Sequence, residues 1–274
     1  MRRQLRDLDQ WYRDFEAPRR ARSDAWRRFF VTSATSVVAV VASLVVLHQQ
    51  GVVVTFDGVG RLVGRGPAVA PGGTNGSYRF LATQPGGSRV PVTYNPCRPI
   101  HVVVNDDLAP QTADALLDSA LARVAEVTGL EFVRDGRTDE LPSSDRPAQD
   151  PGRYGRGWSP VLVAWTTPEV DHGLEGDVVG LGGSIRLSDP VTGRLRYVTG
   201  TIALDAPSMR RVLTRPDGVL AARAIIMHEL GHVVGLGHVD DPDELMYDDN
   251  VGRTDFGPGD LQGLAILGRG ACVG

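Results

Sequence analysis

The chain has 274 residues, 42% of them hydrophobic, and a formal charge of −4 from 29 basic and 33 acidic residues; that length suits one large domain or two small ones. Every basic residue is Arg. Residues 1–28 hold nine Arg against five acids, so the remainder carries −8, and an acidic main body argues against a nucleic-acid partner.

Residues 1–28 read as an Arg-rich cytoplasmic segment. Phe29 to Leu47, FFVTSATSVVAVVASLVVL, follows without a charge. A helix of that length spans roughly 28 Å, close to the hydrocarbon thickness of a bilayer. The cluster Arg19, Arg20, Arg22, Arg27 and Arg28 holds the N-terminus in the cytoplasm by the positive-inside rule. The expectation is a single transmembrane helix over 29–47 in the cell membrane, with the rest of the chain outside. A cleaved signal peptide is the rival reading. Its leader and apolar run would both be unusually long, and the small-x-small site Ala68-Val69-Ala70 lies too far downstream, before Pro71. A buried core helix is a third reading, but a surface apolar on all faces rarely fits a small domain.

Residues 48–77, rich in Gly and holding Pro67 and Pro71, read as a tether, with His48 at the membrane boundary. The main domain is expected over 78–274. YRFLAT (78–83) and IHVVVN (100–105) read as strands, with His101 a structural residue of the second. Pro110 to Thr128 repeats apolar residues at helical spacing, with Pro110 in the first turn and Gly129 as the stop. LEFV (130–133) reads as a strand. Arg134 to Pro160 is polar and reads as a surface insertion. VLVAW (161–165) and YVTGTIAL (197–204) are further strands, Pro216 to Leu236 a long helix, and Pro258 to Leu267 a last short one. There are no internal repeats, and the fold class is α+β.

Chemistry concentrates in MHELGHVVGLGHVDDPDELMYDD, Met227 to Asp249, which holds three of the six His. His228 and His232 stand one helical turn apart, so both imidazoles share a face and both can reach one Zn²⁺. Glu229 points about 100° round the helix. It is poorly placed as a ligand but can meet a water on the metal, as a general base must. Gly235 lets the chain turn back after His232, so that His238 supplies a third ligand. Three neutral nitrogens with an open fourth position mark a catalytic zinc site rather than a structural one. A helix that merely happens to hold histidines is the competing reading; the joint spacing H-E-x-x-H-x-x-G-x-x-H argues against it.

HELGHVVGLGH followed by ELMYD resembles the metzincin zinc endopeptidases. Within that clan the chain is most similar to the matrixin-like branch, through LMY after the third His and through GPGDLQGLAIL, which resembles the start of the matrixin C-terminal helix. The resemblance implies a twisted mixed sheet, an active-site helix and a C-terminal helix. It implies one Zn²⁺ on His228, His232 and His238, Glu229 as base and acid, and Met246 as a Met-turn beneath the metal. Where some metzincins place a Tyr two residues after that Met, this chain has Asp248, and Tyr247 is expected to wall the substrate pocket. Matrixins often carry a second zinc and calcium. DHGLEGDVVGLGG offers Asp171, His172, Glu175 and Asp177 for Ca²⁺ or a second Zn²⁺; with a single His, a solvated acidic loop is the favoured reading.

The expected activity is hydrolysis of peptide bonds in proteins or peptides outside the membrane by a monomer. An extended substrate would pair with a strand edge near Gly182 to Leu187. The alternative is a zinc-binding surface scaffold or sensor without hydrolysis, which would have no need of Glu229. An intramembrane protease is opposed by Arg223 within the apolar segment and by the local third ligand. The only two cysteines, Cys97 and Cys272, favour a disulfide in an oxidising compartment. A Cys97 switch on the zinc, suggested by NPCRPI, and two free thiols are the alternatives.

Overall fold

A computed structural model describes residues 76–248 and 252–272. The expected cytoplasmic segment (1–28), membrane span (29–47), His48 and the tether as far as residue 75 lie outside the described residues. Among the described residues no helix is long and apolar enough to cross a membrane.

In chain order the elements are β1 (Arg79–Phe80), β2 (Ile100–Asn105), α1 (Ala113–Thr128), β3 (Phe132–Arg137), α2 (Pro151–Tyr154), β4 (Val161–Thr166), a 3₁₀ turn (His172–Leu174), β5 (Gly180–Ser188), β6 (Leu195–Asp205), α3 (Ala206–Leu213), α4 (Gly218–Val234), β7 (Leu236–Gly237) and α5 (Pro258–Leu267). The main sheet has the order β3-β2-β4-β6-β5. Its pairs are parallel except β5–β6, which is antiparallel. A mixed sheet with helices is the α+β architecture expected.

Alternation along the strands divides the sheet into two faces. Val102, Val104, Val161, Val163, Trp165, Ile202 and Leu204 join α1, α4 and α5 in the main core. Val103, Leu162 and Ala164 face the other way beneath Tyr154 of the insertion, and Ala203 meets Leu174, Val178 and Leu181. Both faces of β4 are therefore covered, which is why its six residues are all buried. α4 packs on α1 and against β5. β5 is the last strand of the sheet, so one of its edges has no strand partner there.

Two expectations need correction. YRFLAT contributes only the two-residue β1, which pairs with β7 beside α4 instead of joining the main sheet. The strand begun by LEFV runs on to Arg137, so the polar insertion starts later than expected, and it is anchored to the sheet. The guanidinium of buried Arg146 donates to Glu140, to the Pro160 carbonyl and to Thr199, holding the insertion on the sheet. His101 is exposed on β2, its Nδ1 2.8 Å from Asp135 of β3; it is a cross-strand pair at the surface.

Cys97 and Cys272 are joined in a disulfide, Cα to Cα 5.4 Å, tying the loop before β2 to the tail after α5. That excludes a free Cys97 thiol in this state.

Candidate metal centre

α4 carries an almost continuous apolar surface because it is buried on nearly every side. It ends at Gly235, with φ of 120°. A Cβ there would also lie 3.0 Å from the side chains of both Leu267 and Tyr197. Only Gly satisfies both constraints. The chain then reverses through β7 and brings His238 back over the helix. Gly235→Ala should lower stability by at least about 1–2 kcal/mol, the cost of the backbone region alone, and should weaken metal affinity by shifting His238. An unchanged denaturation midpoint with unchanged zinc affinity would contradict this.

The three imidazoles converge. Nε2 of His228 lies 3.0 Å from that of His232 and 3.0 Å from that of His238, and the last pair is 3.1 Å apart. Nδ1 of His228 faces the Leu245 carbonyl at 2.8 Å, and Nδ1 of His232 faces the Leu236 carbonyl at 2.8 Å. A carbonyl only accepts, so both Nδ1 atoms carry the proton and both Nε2 atoms present lone pairs. Two lone pairs at that distance cannot bond to each other, and a cation between them resolves the conflict. Ligands about 2.0–2.1 Å from one tetrahedral ion sit roughly 3.3 Å apart, so the residues fit zinc. Burial lowers the pKa of all three His, and mutual repulsion adds to this at His232 and His238. The three imidazoles are thus neutral at pH 7, the form that can bind a cation.

Glu229 is buried. Burial pushes its carboxyl up to about 8, partly offset by a hydrogen bond from the Gly182 N–H. A neighbouring cation acts in the opposite direction and favours the carboxylate. β5 comes this close because it begins with glycines. A Cβ on Gly180 would lie 2.9 Å from the Glu229 side chain, and one on Gly182 would lie 2.3 Å from the Glu229 carbonyl oxygen. The close approach of strand and helix was missed in the sequence, although alternating Gly beside an apolar run is a usable signal for it.

Met246 is buried beneath the helix, where a Cβ on Gly231 would meet its Sδ at 2.6 Å. Its carbonyl accepts from the Val239 N–H at 3.0 Å. The turn is held by a reciprocal pair of buried carboxylates that sequence reasoning also missed. Glu244 accepts the first-turn N–H groups of Gly259 and Asp260 in α5, each at 2.8 Å. Asp260 in return accepts from Leu245 at 2.5 Å and from Gly257 at 3.0 Å. Each element satisfies the other's orphan amides. Desolvation raises Asp260 to about 7, against the pull of its backbone donors and with the help of nearby Glu244. Its folded pKa thus lies above the unfolded value near 3.9. Between about pH 4 and 7 the folded state holds a proton that the unfolded chain has lost, so stability from this group falls across that window. Thermal unfolding of zinc-loaded protein at pH 5 and pH 8 should show a smaller alkaline loss for Asp260→Asn than for wild type. Equal losses would contradict the assignment.

Tyr247 lies beside this turn, bridged to Val239. The acidic loop forms no comparable centre. His172 is exposed and faces Glu175 at 2.9 Å, and Asp171 accepts from the Gly173 N–H. Among the described residues, His228, His232 and His238 are the one group of three or more His, Cys, Asp or Glu side chains whose ligand atoms converge.

The sequence model of the matrixin family matches residues 190–257. That segment contains the three His, Glu229 and Met246. No curated protein matches the chain. Among solved structures, an archaemetzincin from Methanopyrus kandleri shares 18% identity over 60% of this chain and 92% of its own, with a TM-score of 0.38. Metalloproteinase-II from Bacteroides fragilis shares 14% identity over 66% of this chain and 57% of its own, with a TM-score of 0.33. The matrixin match, together with the geometry of the three His, supports a metzincin-like zinc peptidase fold.

Proposed function

We propose that the protein is a membrane-anchored zinc endopeptidase, with His228, His232 and His238 holding the ion and Glu229 serving as general base and acid. The observation that carries this reading is the convergence of three imidazole Nε2 atoms at 3.0–3.1 Å with a buried carboxylate on the next residue of the same helix. Zn²⁺ held there would supply a Lewis acid for the scissile carbonyl and lower the pKa of the attacking water toward 7. Glu229 takes that water's proton and passes it to the nitrogen of the leaving amine. The backbone of α4 and the Gly182 N–H fix the carboxylate, so little reorganisation is needed during the reaction. The free edge of β5 offers N–H and C=O groups to an extended peptide. Met246 supports the two helical ligands from below, and Tyr247 is assigned to the pocket wall.

Incubating the purified full-length protein with a mixed peptide library and reading cleavage sites by mass spectrometry tests the activity. Internal cleavages that stop with a chelator support it; binding of zinc with every peptide intact supports the non-hydrolytic scaffold instead.

The anchor over 29–47 rests on length, apolarity and the Arg cluster before it. A reporter fused after Gly274 should be active only outside the cytoplasm. Protease added to spheroplasts should remove the domain and leave a short membrane-bound stub. A protected domain, or a soluble mature form starting near Gly51, would contradict the anchor.

A further inference from the structure

A concavity of about 660 Å³ lies at the N-terminal ends of β2 and β4 and the start of β6. Its volume is that of a ligand site. Its lining is unlike the rest of a body that carries −8: it includes Arg98, Arg156 and Arg196. They outnumber the one carboxylate of the lining, Asp135, which lies 2.8 Å from Nδ1 of His101. Arg196 lies 3.6 Å from Asp189, while Arg98 and Arg156 have no ion-pair partner among the described residues. Trp158 lines the same cavity and is 42% exposed, unusually open for so large an apolar ring. Guanidinium groups bind carboxylates in paired hydrogen bonds, and an indole face accepts the apolar stems and peptide planes between them.

The walls are held in place. Cys97, next to Arg98, is fixed by the disulfide, and its N–H donates to Asn95. The segment after Arg156 is fixed through Ser159, which donates to the carbonyls of Ala148 and Pro147. The cavity also has a defined relation to the metal centre. Gly180 and Gly182 of β5 face Glu229, whereas Arg186 pairs with Tyr197 beside the cavity. Gly182 and Arg186 are four positions apart along the strand, roughly 13 Å. The cavity lies on the β6 side of β5, so a peptide laid along the free edge of β5 reaches it only by turning round the end of that strand beyond Arg186.

We propose that this cavity docks a run of Asp or Glu residues on the polypeptide substrate, at a distance from the scissile bond. The proposal rests on the peptidase reading for its purpose, but binding can be measured without hydrolysis. Fluorescein-labelled hexaglutamate should bind the full-length protein at low salt by fluorescence polarisation, and salt should weaken it. Arg98→Gln/Arg156→Gln should weaken it at least tenfold. Arg210→Gln/Arg215→Gln, outside the cavity, should not. Unlabelled hexaglutamate should compete; hexalysine, and citrate at equal carboxylate concentration, should not. Absent binding, equal binding by the cavity variant, or equal competition by citrate would overturn the proposal.

In turnover, the cavity variant should raise KM for a peptide extended by a Glu run and leave kcat/KM for the unextended peptide unchanged. Equal effects on both peptides would also overturn it. Binding of hexaglutamate by a protein that cleaves no peptide would retain the acidic-segment site and refute the peptidase reading alone.

Discussion

Glu229→Ala should retain zinc while peptide turnover falls about 10²–10⁴-fold, the contribution of a positioned general base. The separation of the two effects follows from the geometry. Glu229 is not among the three converging nitrogen ligands, and its carboxylate is held by β5 through the Gly182 N–H. Removing it leaves His228 and His232 oriented by the carbonyls of Leu245 and Leu236. His238→Ala removes a ligand and should lose both metal and turnover. Zinc content and initial rates on the same preparations decide the matter. Near-normal turnover in Glu229→Ala would refute the assigned mechanism, and full zinc occupancy in His238→Ala would refute the ligand set.

The second large effect is on stability. Cys97 and Cys272 are 175 residues apart in sequence and close the chain from the entry of the first main-sheet strand to the tail behind α5. For a loop this long the chain-entropy estimate is on the order of 5 kcal/mol, an upper value because native strain subtracts from it. Cys97→Ser/Cys272→Ser should therefore lower the denaturation midpoint with little change in the denaturant slope attributable to the native state. The metal centre lies elsewhere in the fold, so folded variant should still bind one zinc. A midpoint unchanged from wild type would mean that the bond contributes little to folding.

What was legible in the sequence was local. His228, Glu229, His232, Gly235 and His238 lie within eleven residues, so helix periodicity and one glycine turn suffice to bring them together. The long helices were legible for the same reason, their ends shifting by at most three residues. What was hidden depends on contacts distant in sequence. β1 pairs with β7 across the whole domain, and no periodicity in YRFLAT announces that. Arg146 looks like a solvated charge, yet it is buried because Glu140 and the Pro160 carbonyl satisfy it. Glu244 and Asp260 look like surface acids until the turn and α5 are placed together. α3 is short, and its amphipathic pattern was lost between two stronger elements.

The most direct test of the central claim is zinc titration of the chelator-stripped, full-length protein, with peptide cleavage followed in parallel. The account predicts no cleavage without metal and activity that rises in step with zinc to a plateau at one ion per chain. Cleavage that persists in zinc-free protein, or a plateau of bound zinc with no cleavage of any peptide, would contradict it.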